Sequence, residues 1–377
     1  MSLIKSSTVP ATARAAVMTA AKAPLEMREY PLPEPGPGQV LVRVRACTIC
    51  KSDLLTWTGA RPGPVPAILG HEIVGEIVAL GEGRSHDAGD RRLGLGDRIT
   101  WTIHDSCGQC YHCRDLQLPM KCRSLKKYGH DSCAEPPHFE GGFAEYCLLG
   151  AGTSIVRAPA SVDDLVLAPA NCALSTVMAG FEAAEFVAGQ SVWIQGAGGL
   201  GCYAAAVATH RGARRVIVSD TRPERLEFAG RFGATERIDV RDMSDDQICS
   251  AVKDLSGGHG VDSVLELAGR PELIPQGLGG LRKGGCFVEL GCSFPGAKFE
   301  LDASLVLWNL LTIRGVHNYD TRHLRQAVEF LDAAGERFPF RELVTHEFDF
   351  EDVQAAVDCA QSGVGLRVAI LFPTQQT

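Results

Sequence analysis

Val192-Trp193-Ile194-Gln195-Gly196-Ala197-Gly198-Gly199-Leu200-Gly201 is the stretch on which the reading of the chain turns. A short apolar run leads straight into G-x-G-x-x-G, and the residues after Gly201 are those of a helix. Asp220 lies nineteen residues beyond the last glycine, at the end of a second run, Arg215–Ser219. Alone, the glycine pattern is weak. Between a strand and a helix, with an acid at the end of the next strand, it marks a dinucleotide-binding βαβ unit. Gly196, Gly198 and Gly199 let the backbone approach a pyrophosphate, and Leu200 and Gly201 open the helix whose N-terminus stabilises its charge. Asp220 is suited to accept hydrogen bonds from both ribose hydroxyls of NAD and to repel the 2′-phosphate of NADP. Arg225 has two readings, a contact on the adenosine side and a solvated helix residue.

Outward from this motif the chain alternates strand and helix, which signals a parallel sheet. Strands are predicted at Val192–Gln195, Arg215–Ser219, Thr235–Ile238, Ser263–Leu267, Cys286–Leu290 and Leu311–Ile313, with helices at Leu200–His210, Glu224–Phe232, Ser244–Leu255 and Pro271–Leu281. An amphipathic helix, His323–Ala334, and a strand, Arg367–Phe372, follow. Residues 30 to about 165 differ in texture: they are rich in Gly, Pro, Cys and β-branched runs such as Val40–Val44, and read as a mostly β lobe entered through the loop Pro31–Pro37.

At 377 residues the chain is long enough for two domains, and 45% hydrophobic with 22% charged residues is a globular composition. A net charge of −8 and a pI of 5.8 argue against a nucleic-acid surface. No apolar run approaches the ~20 residues of a membrane helix. The Ala-rich segment Val9–Ala21 is interrupted by Arg14, which removes the apolar core a signal peptide needs. The fourteen cysteines then point to a reducing cytoplasm.

Four of them stand in Cys107-Gly-Gln-Cys110-Tyr-His-Cys113 and, eight residues on, Cys122. Soft thiolates that one short loop wraps around a point are what tetrahedral Zn²⁺ requires, so the spacing predicts a closed structural zinc site. Disulfide pairing would need an oxidising compartment that nothing else in the chain supports. A second group is scattered: Cys50 in Thr48-Ile-Cys50-Lys51-Ser52-Asp53, His71 in Gly70-His71-Glu72, and Cys172 in Asn171-Cys172-Ala. Cys, His and Cys form the ligand set of an open zinc site, yet sequence distance alone does not join them. A lone His is more often a satisfied core residue, and a lone Cys a small buried hydrophobe.

Taken together, Cys50–Asp53, Gly70–Glu72, Gly96-Asp-Arg98, the Cys107–Cys122 loop, Gly141-Gly-Phe-Ala-Glu-Tyr146 and the glycine turn resemble the zinc-dependent medium-chain alcohol dehydrogenases, over nearly the whole length. The resemblance implies an α/β fold, with a Rossmann doubly wound parallel sheet inserted in a mostly β, GroES-like catalytic domain. The domains would be 1–172, 173–315 and a return at 316–377. It implies two zincs per subunit and NAD, with Cys50, His71 and Cys172 on the catalytic zinc and Glu72 as a nearby alternative ligand. Asp53 would bond His71 from behind, and Ser52 would relay the alcohol proton. Lys51 and Arg367 would lie at the cofactor pyrophosphate. The implied activity is hydride transfer between a small alcohol (primary, secondary or polyol) or aldehyde and NAD, by a homodimer or homotetramer that binds neither nucleic acid nor membrane. A non-catalytic nucleotide-binding relative is the reading of another class, and the presence of every zinc ligand argues against it.

The sequence departs from the family pattern in two places. Leu55 stands where many relatives continue the proton relay with a histidine, so water or a ribose hydroxyl takes that part. The Cys113–Cys122 gap is one residue longer than usual, which predicts a small bulge in the loop. Trp57, Ile103, His104 and Phe139 are candidate walls for the substrate, and each reads equally well as ordinary core. Gly315-Val-His317-Asn-Tyr319 resembles a phosphonate-catabolism subgroup, which implies an anionic alcohol or aldehyde as an alternative substrate, read by Lys51, His317 or Lys126. The apolar segment Leu305–Leu311 reads as an edge strand or contact helix at a subunit interface, or else as internal packing.

Overall fold

The computed structural model describes residues 3–7 and 9–373. They form two compact units. One runs to Cys172 and includes Asp320–Ala333 and the chain from Phe340; the other is Ala173–Tyr319 with Ala334–Pro339. The return to the first unit comes at Asp320 rather than at 316, and residues 1, 2, 8 and 374–377 of the expected spans lie outside the described residues.

The second unit is built on a six-stranded sheet. Its elements are β1 (Ser191–Gln195), α1 (Gly199–His210), β2 (Arg215–Asp220), α2 (Pro223–Gly230), β3 (Glu236–Asp239), α3 (Asp245–Leu255), β4 (Val261–Glu266), α4 (Leu273–Gly280), β5 (Leu281–Glu289), α5 (Ala303–Asn309) and β6 (Thr312–Gly315). Every strand pair is parallel and the order is β3-β2-β1-β4-β5-β6, that of doubly wound dinucleotide-binding sheets. All of β1 is buried, as a central parallel strand must be. Trp193, Ile217, Val264 and Phe287 fill the core beside it. Local chemistry sets the helix ends: the Ser244 hydroxyl accepts from the Gln247 N–H, while the Gln247 side chain accepts from the Ser244 N–H. The segment Leu305–Leu311, read as strand or helix, is mostly the helix α5. Leu310 closes it with φ 53° before the edge strand β6.

The first unit holds an eight-stranded sheet whose path runs Ile155–Arg157, Arg98–Trp101, Glu72–Leu80, Val40–Thr48, Arg367–Leu371, Val344–Asp349. The Val40–Thr48 and Glu72–Leu80 strands pair antiparallel along their whole length. Thr12–Met18, the Ala-rich segment, is a strand of a smaller sheet, with Ala15, Ala16 and Val17 wholly buried. Phe139 is in the same core, so it is packing rather than a substrate wall.

Candidate active site

The chain enters the site through Cys50, which caps the helix Lys51–Trp57 with an extended backbone. Gly70, at φ 87°, turns the chain into the Glu72–Leu80 strand and presents His71. Cys172 ends the short helical turn Ala168–Asn171. These three remote points converge: the Cys50 and Cys172 sulfurs and a His71 ring nitrogen all lie within 4.8 Å of one another.

Asp53 holds the arrangement together. One carboxylate oxygen accepts from the Cys50 N–H at 2.9 Å; the other accepts from the Gly70 N–H at 3.2 Å and lies 2.9 Å from His71 Nδ1. Both side chains are 1% exposed. That contact directs His71 Nε2 toward the sulfurs, the role a carboxylate plays behind a metal-ligating imidazole. Burial opposes a positive charge on His71, but the Asp53 charge and hydrogen bond raise it to about 10. Between the sulfurs the hydrogen bond runs from Cys172 to Cys50. It draws Cys50 well below the usual thiol range and pushes Cys172 well above it. Two sulfurs this close oppose each other's ionisation, and a divalent cation is what lets both ionise. The donor set therefore fits Zn²⁺ with an open fourth position.

Around this centre, Ser52 Oγ stands 3.2 Å from His71 Nε2. Glu72 is wholly buried; Oε2 accepts from Thr48 Oγ1 at 2.6 Å and from Arg367, whereas Oε1 has no hydrogen-bond partner among the described residues. Burial lifts the Glu72 carboxyl to about 7, against the pull of Arg367. Arg367 is thus engaged with Glu72 and 5% exposed. Lys51 opens its helix exposed to solvent.

The Cys107–Cys122 loop brings its four sulfurs together. Separations of 3.4 Å (Cys107–Cys122), 3.5 Å (Cys110–Cys113) and 3.9 Å (Cys110–Cys122) bracket the ~3.8 Å edge of a ZnS₄ tetrahedron with ~2.3 Å bonds. N–H groups of Arg123 and Cys113 draw Cys110 down to about 5, and burial with neighbouring thiols pushes Cys113 up to about 12. Gln117, at φ 53°, and the turn Pro119–Lys121 take up the length of the loop.

In the second unit, Gly196 adopts φ 106°, and a Cβ on Gly201 would sit 2.0 Å from the Gly196 carbonyl oxygen, so both positions demand glycine. Gly198 faces open space and caps α1 with no side chain, leaving the N–H groups of Gly199, Leu200 and Gly201 for an anion. Asp220 accepts from the Ala197 N–H at 2.7 Å, which ties the end of β2 to the glycine turn. This cradle fits a dinucleotide pyrophosphate. Arg225 lies on α2; burial pushes the Cys202 thiol up to about 12, against the pull of Arg225.

Sequence reasoning missed three residues near the zinc ligands. The His130 ring lies 4.9 Å from that of His71, Arg61 Nη2 stands 3.0 Å from His130 Nδ1, and Lys127 feels the charges of Cys172, Cys50 and Arg61. Only strand alternation could have hinted at Lys127: its neighbour Lys126, singled out for substrate charge, turns outward to pair with Glu140 at 2.8 Å. His104 is buried beside Lys127 and falls to about 4, Ile103 is 2% exposed, Trp57 Nε1 donates to the Ala23 carbonyl, and His317 is exposed on the second unit.

A family described as zinc-binding dehydrogenase matches residues 199–333, and one described as alcohol dehydrogenase GroES-like domain matches residues 36–160. The chain is 30% identical over 350 residues to L-threonine 3-dehydrogenase of Shewanella loihica, spanning 91% of this chain and 95% of that enzyme. It is 31% identical over 362 residues to 5-exo-hydroxycamphor dehydrogenase of Pseudomonas putida, spanning 95% and 98%. The crystal structure of an alcohol dehydrogenase from Thermotoga maritima superposes with a TM-score of 0.91 at 29% identity, over 96% of this chain and 100% of that one. With relatives of this identity along nearly their full length, the chain belongs to the zinc-dependent medium-chain alcohol dehydrogenases.

Proposed function

We propose that Cys50, His71 and Cys172 hold the reactive zinc of an NAD-linked dehydrogenase that interconverts a secondary alcohol and its ketone. The reading is carried by the convergence of those three ligand atoms within 4.8 Å, with Asp53 behind the imidazole. When bound, Zn²⁺ supplies Lewis-acid polarisation of the substrate oxygen and the nicotinamide supplies the hydride acceptor. The protein's own contribution is positional. Asp53 fixes the His71 tautomer, Ser52 Oγ holds the substrate's hydroxyl proton, and Leu55 offers no onward acceptor, so that proton passes to water or a ribose hydroxyl. A secondary alcohol is favoured by the relatives, an L-threonine 3-dehydrogenase and a 5-exo-hydroxycamphor dehydrogenase, whose names both describe one. Glu72, with one buried oxygen unpaired, is the reserve ligand.

Gly196, Gly198, Gly199, Leu200 and Gly201 cradle the pyrophosphate, and Asp220 selects NAD. Arg225 adds positive charge on the adenosine side of the cofactor, whereas Arg367 is taken up by Glu72. Asp220→Ala should cost NAD about tenfold in KM and narrow its advantage over NADP. A reducing compartment suits a chain that offers six of its fourteen cysteines to zinc as thiolates; no single helix among the described residues is long and apolar enough to cross a membrane. Two copies associate along β6, an edge strand with Leu307, Trp308 and Leu310 at least 70% exposed beside it. Trp308→Glu should shift sedimentation from dimer or tetramer toward smaller species, and a wild-type monomer at all concentrations would reject that assembly. Zinc analysis with NADH absorbance across an alcohol panel tests the function itself: wild-type protein with two zincs and no alcohol oxidation would overturn it.

A further inference from the structure

We propose that the alcohol taken by the Cys50–His71–Cys172 site carries a second, anionic group, a carboxylate or a phosphonate, and that Arg61 and Lys127 hold it. This rests on the reading of that site as the reactive zinc centre.

With zinc bound, the Cys50 and Cys172 thiolates offset its two positive charges. Asp53 is committed to His71, and Glu72 to Arg367. Two cations beside the centre have no such counterpart. Lys127 ends the two-residue strand Lys126–Lys127, which pairs with His104–Asp105. Lys126 points to solvent and Glu140; Lys127 turns inward. Its ammonium makes no ion pair among the described residues, and nearby Asp131 takes the Lys127 backbone N–H at 2.6 Å instead. Burial and the charge of Arg61 pull Lys127 below its usual value, against the opposing influence of Cys172 and Cys50, which places the ammonium within electrostatic reach of both sulfurs and of Arg61.

Arg61 is positioned with equal care and is likewise without a carboxylate. Its Nη2 donates to the Ser52 carbonyl at 3.0 Å and to Thr56 Oγ1 at 2.9 Å, and stands 3.0 Å from His130 Nδ1. Those contacts attach it to the helix that bears Ser52. Nε and Nη1 are left without a protein partner among the described residues, and a guanidinium with unused donors is suited to bidentate recognition of an oxyanion. His130, whose ring packs 4.9 Å from that of His71, adds an imidazole to the same side. Two like charges brought together under partial burial are costly without a counter-ion. A substrate anion supplies one, and would orient the carbinol relative to the zinc at the same time.

The test compares 2-butanol, 3-hydroxybutyrate and 2-hydroxypropylphosphonate as substrates of the zinc-loaded enzyme with NAD. At least one anionic alcohol should exceed 2-butanol in kcat/KM, and the better of the two identifies the anion. In Lys127→Met and in Arg61→Gln, the ratio of anionic to neutral kcat/KM should fall about 10- to 100-fold, the range for loss of a hydrogen bond to a charged group. The loss should appear mainly in KM. Equilibrium binding of butyrate and ethylphosphonate to the holoenzyme should weaken in parallel, and circular dichroism with NADH fluorescence reports whether each variant is folded. The proposal is overturned if wild type prefers 2-butanol to both anions, or if both variants change all three substrates alike. Should no alcohol reduce NAD at all, the zinc-centre reading fails instead, and the binding arm alone then decides whether Arg61 and Lys127 hold an anion.

Discussion

The first unit carries two candidate zinc sites built on opposite plans. The Cys107–Cys122 loop gathers four ligands from sixteen consecutive positions, partly in solvent, and its sulfurs are fixed by the loop's own backbone N–H groups. The Cys50–His71–Cys172 centre gathers three ligands from distant segments, and His71 and its support Asp53 are almost wholly buried. The first takes every ligand from one short loop. The second exists only when the Val40–Thr48 and Glu72–Leu80 strands are in register and Asp53 bridges Cys50, Gly70 and His71. A closed four-sulfur site has no position left for substrate, whereas a three-ligand site has one. The contrast predicts that metal in the loop governs stability and metal in the buried centre governs turnover.

The sharpest way to break this contrast is Cys172→Ala. It removes one ligand of the open centre and leaves the loop untouched. Lewis-acid stabilisation is worth several kcal/mol, so kcat/KM should fall by roughly three decades or more. Zinc content should drop by about one ion per subunit, with NADH binding and the thermal midpoint close to wild type. Near-normal turnover in this variant would reject the assignment of the site. Asp53→Asn is a milder probe of the same centre. The amide keeps the shape and loses the charge that sets the His71 tautomer, so zinc affinity or activity should weaken about 10- to 100-fold. Chelator competition measures the first and steady-state kinetics the second; an unchanged zinc affinity together with unchanged kinetics would mean that Asp53 only braces the backbone.

The same difference explains how much of the protein was legible in its sequence. The four-cysteine loop was readable because its contacts are local, and the six strands of the dinucleotide sheet because each repeats an apolar run followed by a helix. Errors there stayed at the ends. The strand expected at Cys286 begins at Leu281, since Gly284 and Gly285 read as a loop, although Leu281 pairs with Val261 across an irregularity in register. Residues that meet only through tertiary packing carried no signal. Glu72 and Arg367 lie 295 positions apart and meet as a buried ion pair. Glu266 and Glu289 face each other on β4 and β5, where burial and mutual repulsion lift Glu266 to about 7. Arg61, Lys127 and His130 belong to this class too. Composition places none of them beside a zinc ligand; the packing of His130 against His71, with Arg61 bonded to His130, comes only from the fold. The open centre was recovered only through resemblance to a family, because no periodicity links Cys50 to Cys172.

Cys110→Ala probes the other side of the contrast and should have the smallest effect on turnover. Cys110 Sγ lies 3.5 Å from Cys113 and 3.9 Å from Cys122, so its loss leaves three sulfurs that no longer enclose a tetrahedron. Zinc binding to such a loop is coupled to its folding, so the released metal takes local order with it. Neither Asp53 nor any of Cys50, His71 and Cys172 touches the loop through a hydrogen bond, so the open centre keeps its geometry. The variant should therefore lose about one zinc per subunit, melt several degrees lower, and be cut by protease within residues 107–122 before elsewhere. Activity per folded molecule should stay within about threefold of wild type, roughly 0.65 kcal/mol of barrier height. If instead activity collapsed as far as in Cys172→Ala while the thermal midpoint held, the two sites would not be separable, and the loop would have to be counted part of the reactive centre.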